Sequence, residues 1–254
     1  MLSDPLVLTV CVAAVILVGL SKGGLGGSMG LVGVPLMALV MSPIQAAAIL
    51  LPIMILMDVV SLWSWRGFYD RRTLVIMMPG AMAGIGLGWL TASLVTPDIV
   101  RLILGAVVLV FVGRWLYQSL FGDATRAAPH NTLAGRFWGM VSGFTSFVAH
   151  AGGPPFQIYA LGLRLDPKVY TGTSVIYFAV TNAVKLVPYF ALGQFGTQNL
   201  TTSLALLPLA PLATLAGAWI VKRMRPEVFY PFTYLTVLLV ALKLLWDSAA
   251  ALMG

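Results

Sequence analysis

Two stretches interrupt an otherwise apolar chain with residues suited to holding an anion: Ser21-Lys22-Gly23-Gly24-Leu25-Gly26-Gly27-Ser28 near the start, and Thr145-Ser146 leading into His150-Ala151-Gly152-Gly153-Pro154-Pro155 past the middle. A glycine-rich interruption frees backbone N–H groups and aims a helix N-terminus, roughly half a positive charge, at whatever lies before it. Lys22 adds a full charge and His150 a titratable donor, while the hydroxyls of Ser21, Ser28, Thr145 and Ser146 suit the oxygens of a small oxyanion. The expected substrate-binding set is therefore Lys22, Gly23, Gly24, Gly26, Gly27, Ser28, Thr145, Ser146, His150, Gly152 and Gly153. The competing readings are structural. Glycines in membrane helices often serve close packing, as the four-residue spacing of Gly80, Gly84 and Gly88 suggests, and Lys22 also fits a side chain reaching from a helix end toward the cytoplasm.

Asp58, Asn182 and Lys185 lie inside apolar runs, where an ionised group costs at least about 2.5–3.5 kcal/mol, so they need partners. Asn182 and Lys185 are three apart and share a helix face. Asp58 is expected to pair with Lys185 or with Lys22, as part of a coupling mechanism or as a structural ion pair. No catalytic constellation is visible: there is no His-Glu-x-x-His, phosphate loop or nucleophile elbow. With Cys11 the one cysteine and His130 and His150 the two histidines, no metal site and no cofactor is expected, and the protein is read as a non-enzyme.

The elements that must position these residues follow from composition. Over 254 residues, 59% are hydrophobic and 9% charged, and the mean hydropathy is +0.96, far from the soluble range of about a quarter charged. The runs are helix-length and lack the ~10-residue alternation of a membrane β-barrel, so the fold class is an all-α integral membrane protein. Candidate helices fall near 6–20, 29–41, 45–65, 73–94 and 98–119, then 136–149, 154–163, 169–191, 199–221 and 228–248. The first two of each five are short against the ~20 residues a bilayer needs and are read as a broken or re-entrant pair followed by three spanning helices. Asp4 stands where a signal peptide carries positive charge, so 6–20 is expected to be a retained first helix.

The net charge of +7 falls in short clusters between apolar runs, Arg66/Arg71/Arg72, Arg126/Arg136 and Lys222/Arg223/Arg225, as in cytoplasmic loops and not in a nucleic-acid surface. The two groups of five also resemble each other: Pro43 with Pro167 and Asp58 with Asn182 at one offset, and Pro79 with Pro208 and Gly88 with Gly217 at another. An odd number of crossings per half inverts the second half relative to the first. The expected organisation is a first membrane repeat over 1–121, a cytoplasmic linker over 122–133 and a second repeat over 134–254, an architecture of transporters.

The segments from Gly19 to Pro35 and from Gly143 to Pro155 resemble the paired signatures of the TauE/SafE sulfite exporter family, and the likeness runs over nearly the whole chain. That resemblance implies a helical permease with duplicated halves that moves sulfite or small organosulfonates such as sulfoacetate out of the cell, with the glycines and prolines of the two stretches, Lys22 and His150 at the site. The leading expectation is thus a secondary exporter of a small sulfur anion in a cell membrane, the bacterial inner membrane suiting the short loops. Its partners would be the lipid bilayer and the anion, with a homodimer compatible with the sequence. The alternatives are transport of another small anion, such as sulfate, thiosulfate or a carboxylate, in either direction, or a membrane assembly factor that transports nothing.

Overall fold

The computed structural model describes residues 4–25, 32–92 and 127–225, together with 94, 113, 227–229, 231–233 and 235. The helix expected over 98–119, most of that over 228–248, and the site candidates Gly26, Gly27 and Ser28 lie outside the described residues. Within them the chain is all-helical, with no strand.

Helix α1, Pro5–Leu20, runs on into a single wide turn, Ser21–Leu25. There follow α2, Gly33–Met37; α3, Pro43–Ser64; α4, Arg71–Leu90; α5, Thr132–Ala149; α6, Gly153–Ala160; α7, Pro167–Ala191; α8, Thr197–Leu206; and α9, Leu209–Arg223. The long helices start where capping chemistry dictates. Asp4, Ser42, Asp70, Asn131 and Asp166 each accept a hydrogen bond from a first-turn amide of α1, α3, α4, α5 and α7, and Pro5, Pro43 and Pro167 occupy first-turn positions.

Among the described residues, four stretches are long and apolar enough to cross a bilayer: Pro5–Leu25, Pro43–Ser64, Arg71–Leu90 and Pro167–Ala191. Helices α8 and α9 make a fifth only as a pair bent by 48°. Two expectations change here. The first helix is not short, because the wide turn carries it to 21 residues. The single helix expected over 199–221 is two, broken at Leu207-Pro208, where proline removes an N–H and crowds the preceding turn. Helices α2 and α6 are short as expected, five and eight residues, and at 1.5 Å per residue neither crosses ~30 Å of hydrocarbon.

Packing relies on absent side chains. A Cβ at Gly80 or Gly84 would collide with the carbonyl oxygens of Arg136 or Met140 in α5, and one at Gly139 or Gly143 with those of Met77 or Ala81 in α4. The expected glycine face of α4 thus meets a second on α5, backbone against backbone. The α1–α9 contact is built alike, with Gly217 against the Leu20 carbonyl, Gly23 against that of Thr214, and Gly19 against the Ala213 methyl. Large apolar side chains such as Leu6, Leu90 and Phe190 face outward, as a lipid-facing surface requires.

Candidate functional site

The wide turn ending α1 holds Lys22 and Gly23, and Gly24 ends its helical course with φ +129°, a conformation that a side chain would strain. Two side chains of α3 pin this turn: the Ser61 hydroxyl donates to the Lys22 carbonyl at 2.9 Å and the Trp65 indole to the Gly23 carbonyl at 2.8 Å. The Lys22 ammonium donates to Asp58 Oδ1 at 2.6 Å, one turn earlier on α3. The other oxygen of Asp58 accepts from Asn182 Nδ2, also at 2.6 Å. Of the two partners the sequence allowed for Asp58, the structure places Lys22 against it.

Lys185 goes instead to the second break. Its ammonium, buried with no exposure, donates to the Ser146 carbonyl and to the Ser146 hydroxyl, each at 3.0 Å, and meets His150 Nδ1 at 2.8 Å. His150 Nε2 donates to the Ala47 carbonyl at 3.0 Å. A carbonyl can only accept, so Nε2 carries hydrogen and Nδ1 is left to accept from Lys185.

His150 ends α5 in a left-handed conformation, φ 52°, rare outside glycine. Its amide and that of Ala151 bond back to the carbonyls of Ser146 and Thr145. The ring's hydrogen bonds with Lys185 and the Ala47 carbonyl, and its stacking on Tyr189, help hold this strained backbone where the chain leaves the helix.

The remaining candidates divide. Thr145 turns its hydroxyl back to the Val141 carbonyl. Gly152 lies against α5, where the Ser142 hydroxyl donates to its carbonyl at 2.7 Å, and a Cβ there would meet Ser142 and Ser146. Gly153 opens α6, whose first turn contains Pro154 and Pro155, so that turn offers fewer amides than its glycines suggest. The structure therefore brings Lys22, Asp58 and Asn182 into one set of contacts and Lys185, Ser146 and His150 into another, the two sets sharing α7, and gives Gly23 and Gly152 close approaches to neighbouring helices.

Ser61, Trp65 and Tyr189 went unread as partners of the breaks. Tyr189 donates to the Phe147 carbonyl at 2.8 Å, and the signal for these residues lay in the internal offset. Asp58 and Asn182 are 124 residues apart. At the same offset Ser61 matches Lys185, Trp65 matches Tyr189, Lys22 matches Ser146 and Gly23 matches Phe147. The bonds match too: Ser61 to the Lys22 carbonyl and Lys185 to the Ser146 carbonyl each span 39 residues, and Trp65 to Gly23 and Tyr189 to Phe147 each span 42.

Several apolar crossing-length helices, interrupted helices beside two of them and a buried cluster of charged groups define a multi-pass membrane protein of transporter type. The family comparison names that type: the sulfite exporter TauE/SafE model matches residues 11–244, and the chain belongs to that family. No curated protein and no solved structure matches.

Proposed function

We propose that this protein is a secondary transporter that carries a small sulfur oxyanion, sulfite or an organosulfonate, out of the cell across the cytoplasmic membrane. The observation that carries the reading is the unequal bonding of its two interior lysines. Lys185 is wholly buried and gives its three donors to three acceptors. Lys22 keeps 12% of its side chain exposed and, among the described residues, makes one hydrogen bond, to Asp58. An ammonium has three N–H groups, so Lys22 has two to offer a ligand. Asp58 balances the Lys22 charge in a place where an unbalanced charge is costly, and the spare N–H groups suit the oxygens of an anion.

The matched hydrogen bonds support two inverted repeats over 1–121 and 134–254. Asp58 and Asn182 stand equally far from their N-terminal prolines, Pro43 and Pro167, and touch each other. An axis exchanging the halves would pass between them, and exchange of the halves' conformations would open the site alternately to either side. A cytoplasm-negative potential drives anion exit by about 2.3 kcal/mol per charge per 100 mV, so export needs no coupled ion.

The test is sulfite efflux from proteoliposomes under an imposed potential with no pH gradient. Efflux should rise with the potential and be lost in Lys22→Ala. Flux that ignores the potential, or survives Lys22→Ala, refutes the reading.

A further inference from the structure

Asp58 binds the Lys22 ammonium through one oxygen and the Asn182 amide through the other. That contact fixes the Asn182 orientation, because turning the amide over would set its oxygen against a carboxylate. The amide oxygen Oδ1 is thereby directed elsewhere. It is buried and meets no donor among the described residues, although Asn182 as a whole is only 1% exposed. Buried acceptors are nearly always satisfied, so one left open beside a cation with spare N–H groups marks a place for a ligand that donates as well as accepts. The cluster's charge restricts that ligand further. The Lys22–Asp58 pair is already balanced, so an anion brings net charge into the membrane interior, and a doubly charged one brings twice as much as a singly charged one.

We propose that the site selects a singly charged oxyanion that carries a hydroxyl, its charged oxygens on the free N–H groups of Lys22 and its hydroxyl hydrogen on Asn182 Oδ1. This rests on the anion-transport reading of the same residues and adds the form of the anion. Asn182 is then the specificity-determining residue, and Asp58 sets the charge that the site accepts. The second half has an amide where the first has a carboxylate; a second carboxylate there would set another negative charge against an anion and add another acceptor.

Permanently charged probes separate these properties from the protonation of the cargo. Efflux of labelled sulfite from proteoliposomes holding the intact chain is competed with isethionate, which has one charge and a hydroxyl; with propane-1-sulfonate, which has the same charge and a methyl in place of the hydroxyl; and with sulfate, which has two charges. In the wild-type protein isethionate should compete at roughly three- to tenfold lower concentration than propane-1-sulfonate, the worth of one net hydrogen bond, and sulfate should be roughly tenfold or more weaker than isethionate. In Asn182→Leu the two sulfonates should become equal. Equal competition by the two sulfonates in the wild type overturns the proposal while leaving anion transport standing, as does sulfate competing as well as isethionate. Absence of sulfite efflux overturns both. The wild-type comparison decides the matter even where the variant does not fold.

Discussion

At the first break the cation stands on the interrupted chain and its partner on the long helix; at the second the cation stands on the long helix and its partners on the break. Lys22 meets Asp58 of α3, whereas Lys185 of α7 meets Ser146 and His150. The carbonyls of both breaks are nevertheless held by the same pattern of donors one turn apart, Ser61 and Trp65 at one and Lys185 and Tyr189 at the other. The shared bonds hold unwound backbone in place, and the exchanged charges distinguish a break whose lysine has one acceptor among the described residues from one whose lysine has three.

The sharpest way to break this comparison is to remove each lysine. Lys22→Ala leaves Asp58 buried without its cation and should cost about 3–5 kcal/mol of stability, with efflux falling below detection. Adding Asp58→Asn should restore the melting temperature and not the efflux, and recovery of efflux in that double variant would show that Lys22 serves structure alone. Lys185→Met strands the Ser146 carbonyl and the His150 ring, at about 1–3 kcal/mol. Its efflux per folded molecule should stay closer to wild type than that of the double variant, measured with detergent melting alongside flux.

A finer comparison tests whether the two pins are equivalent. Trp65→Phe and Tyr189→Phe each remove one donor to a break carbonyl, and each should cost about 1 kcal/mol. Melting losses that differ by several-fold would argue against a common plan.

The smallest expected effect lies outside the membrane, at the start of α4. Asp70 accepts from the Thr73 amide at 2.8 Å and the Thr73 hydroxyl at 2.6 Å, and lies 3.0 Å from His130 Nε2. Partial burial pushes its carboxyl up, but the Thr73 and His130 interactions together outweigh that and hold it below its ordinary value. A lowered carboxyl stabilises the fold above the ordinary value of 3.8 and ceases to as the pH falls through its folded value. Asp70→Asn still caps the helix, so it should lose only about 0.5 kcal/mol near neutrality. Melting followed into acid should be flatter in the variant than in the wild type.

Much of this was legible in the sequence because cost in a membrane is written in composition. Asp58, Asn182 and Lys185 announced themselves as polar residues in apolar runs, and Gly80, Gly84 and Gly88 as a packing face by their spacing. Which lysine would take Asp58 was not legible, since both are cations in apolar surroundings and only the three-dimensional course of the breaks separates them. The helix end at Ala149 was legible from the break that follows, but the left-handed conformation of His150 was not, because that conformation is far more usual for glycine. Ser61 and Trp65 were missed because a serine and a tryptophan in a membrane helix carry no cost that demands a partner. The bend at Pro208 was not distinguishable from the unbroken course through Pro79 in α4, since proline is tolerated inside a helix where its neighbours allow.

The glycine contact between α4 and α5 has a consequence for how the protein tolerates change. Where one main chain rests directly on another, no rotamer can absorb an added atom, so neither partner can compensate for a larger residue opposite. Exhaustive substitution should therefore find Gly84 and Gly143 frozen while the lipid-facing leucines drift freely.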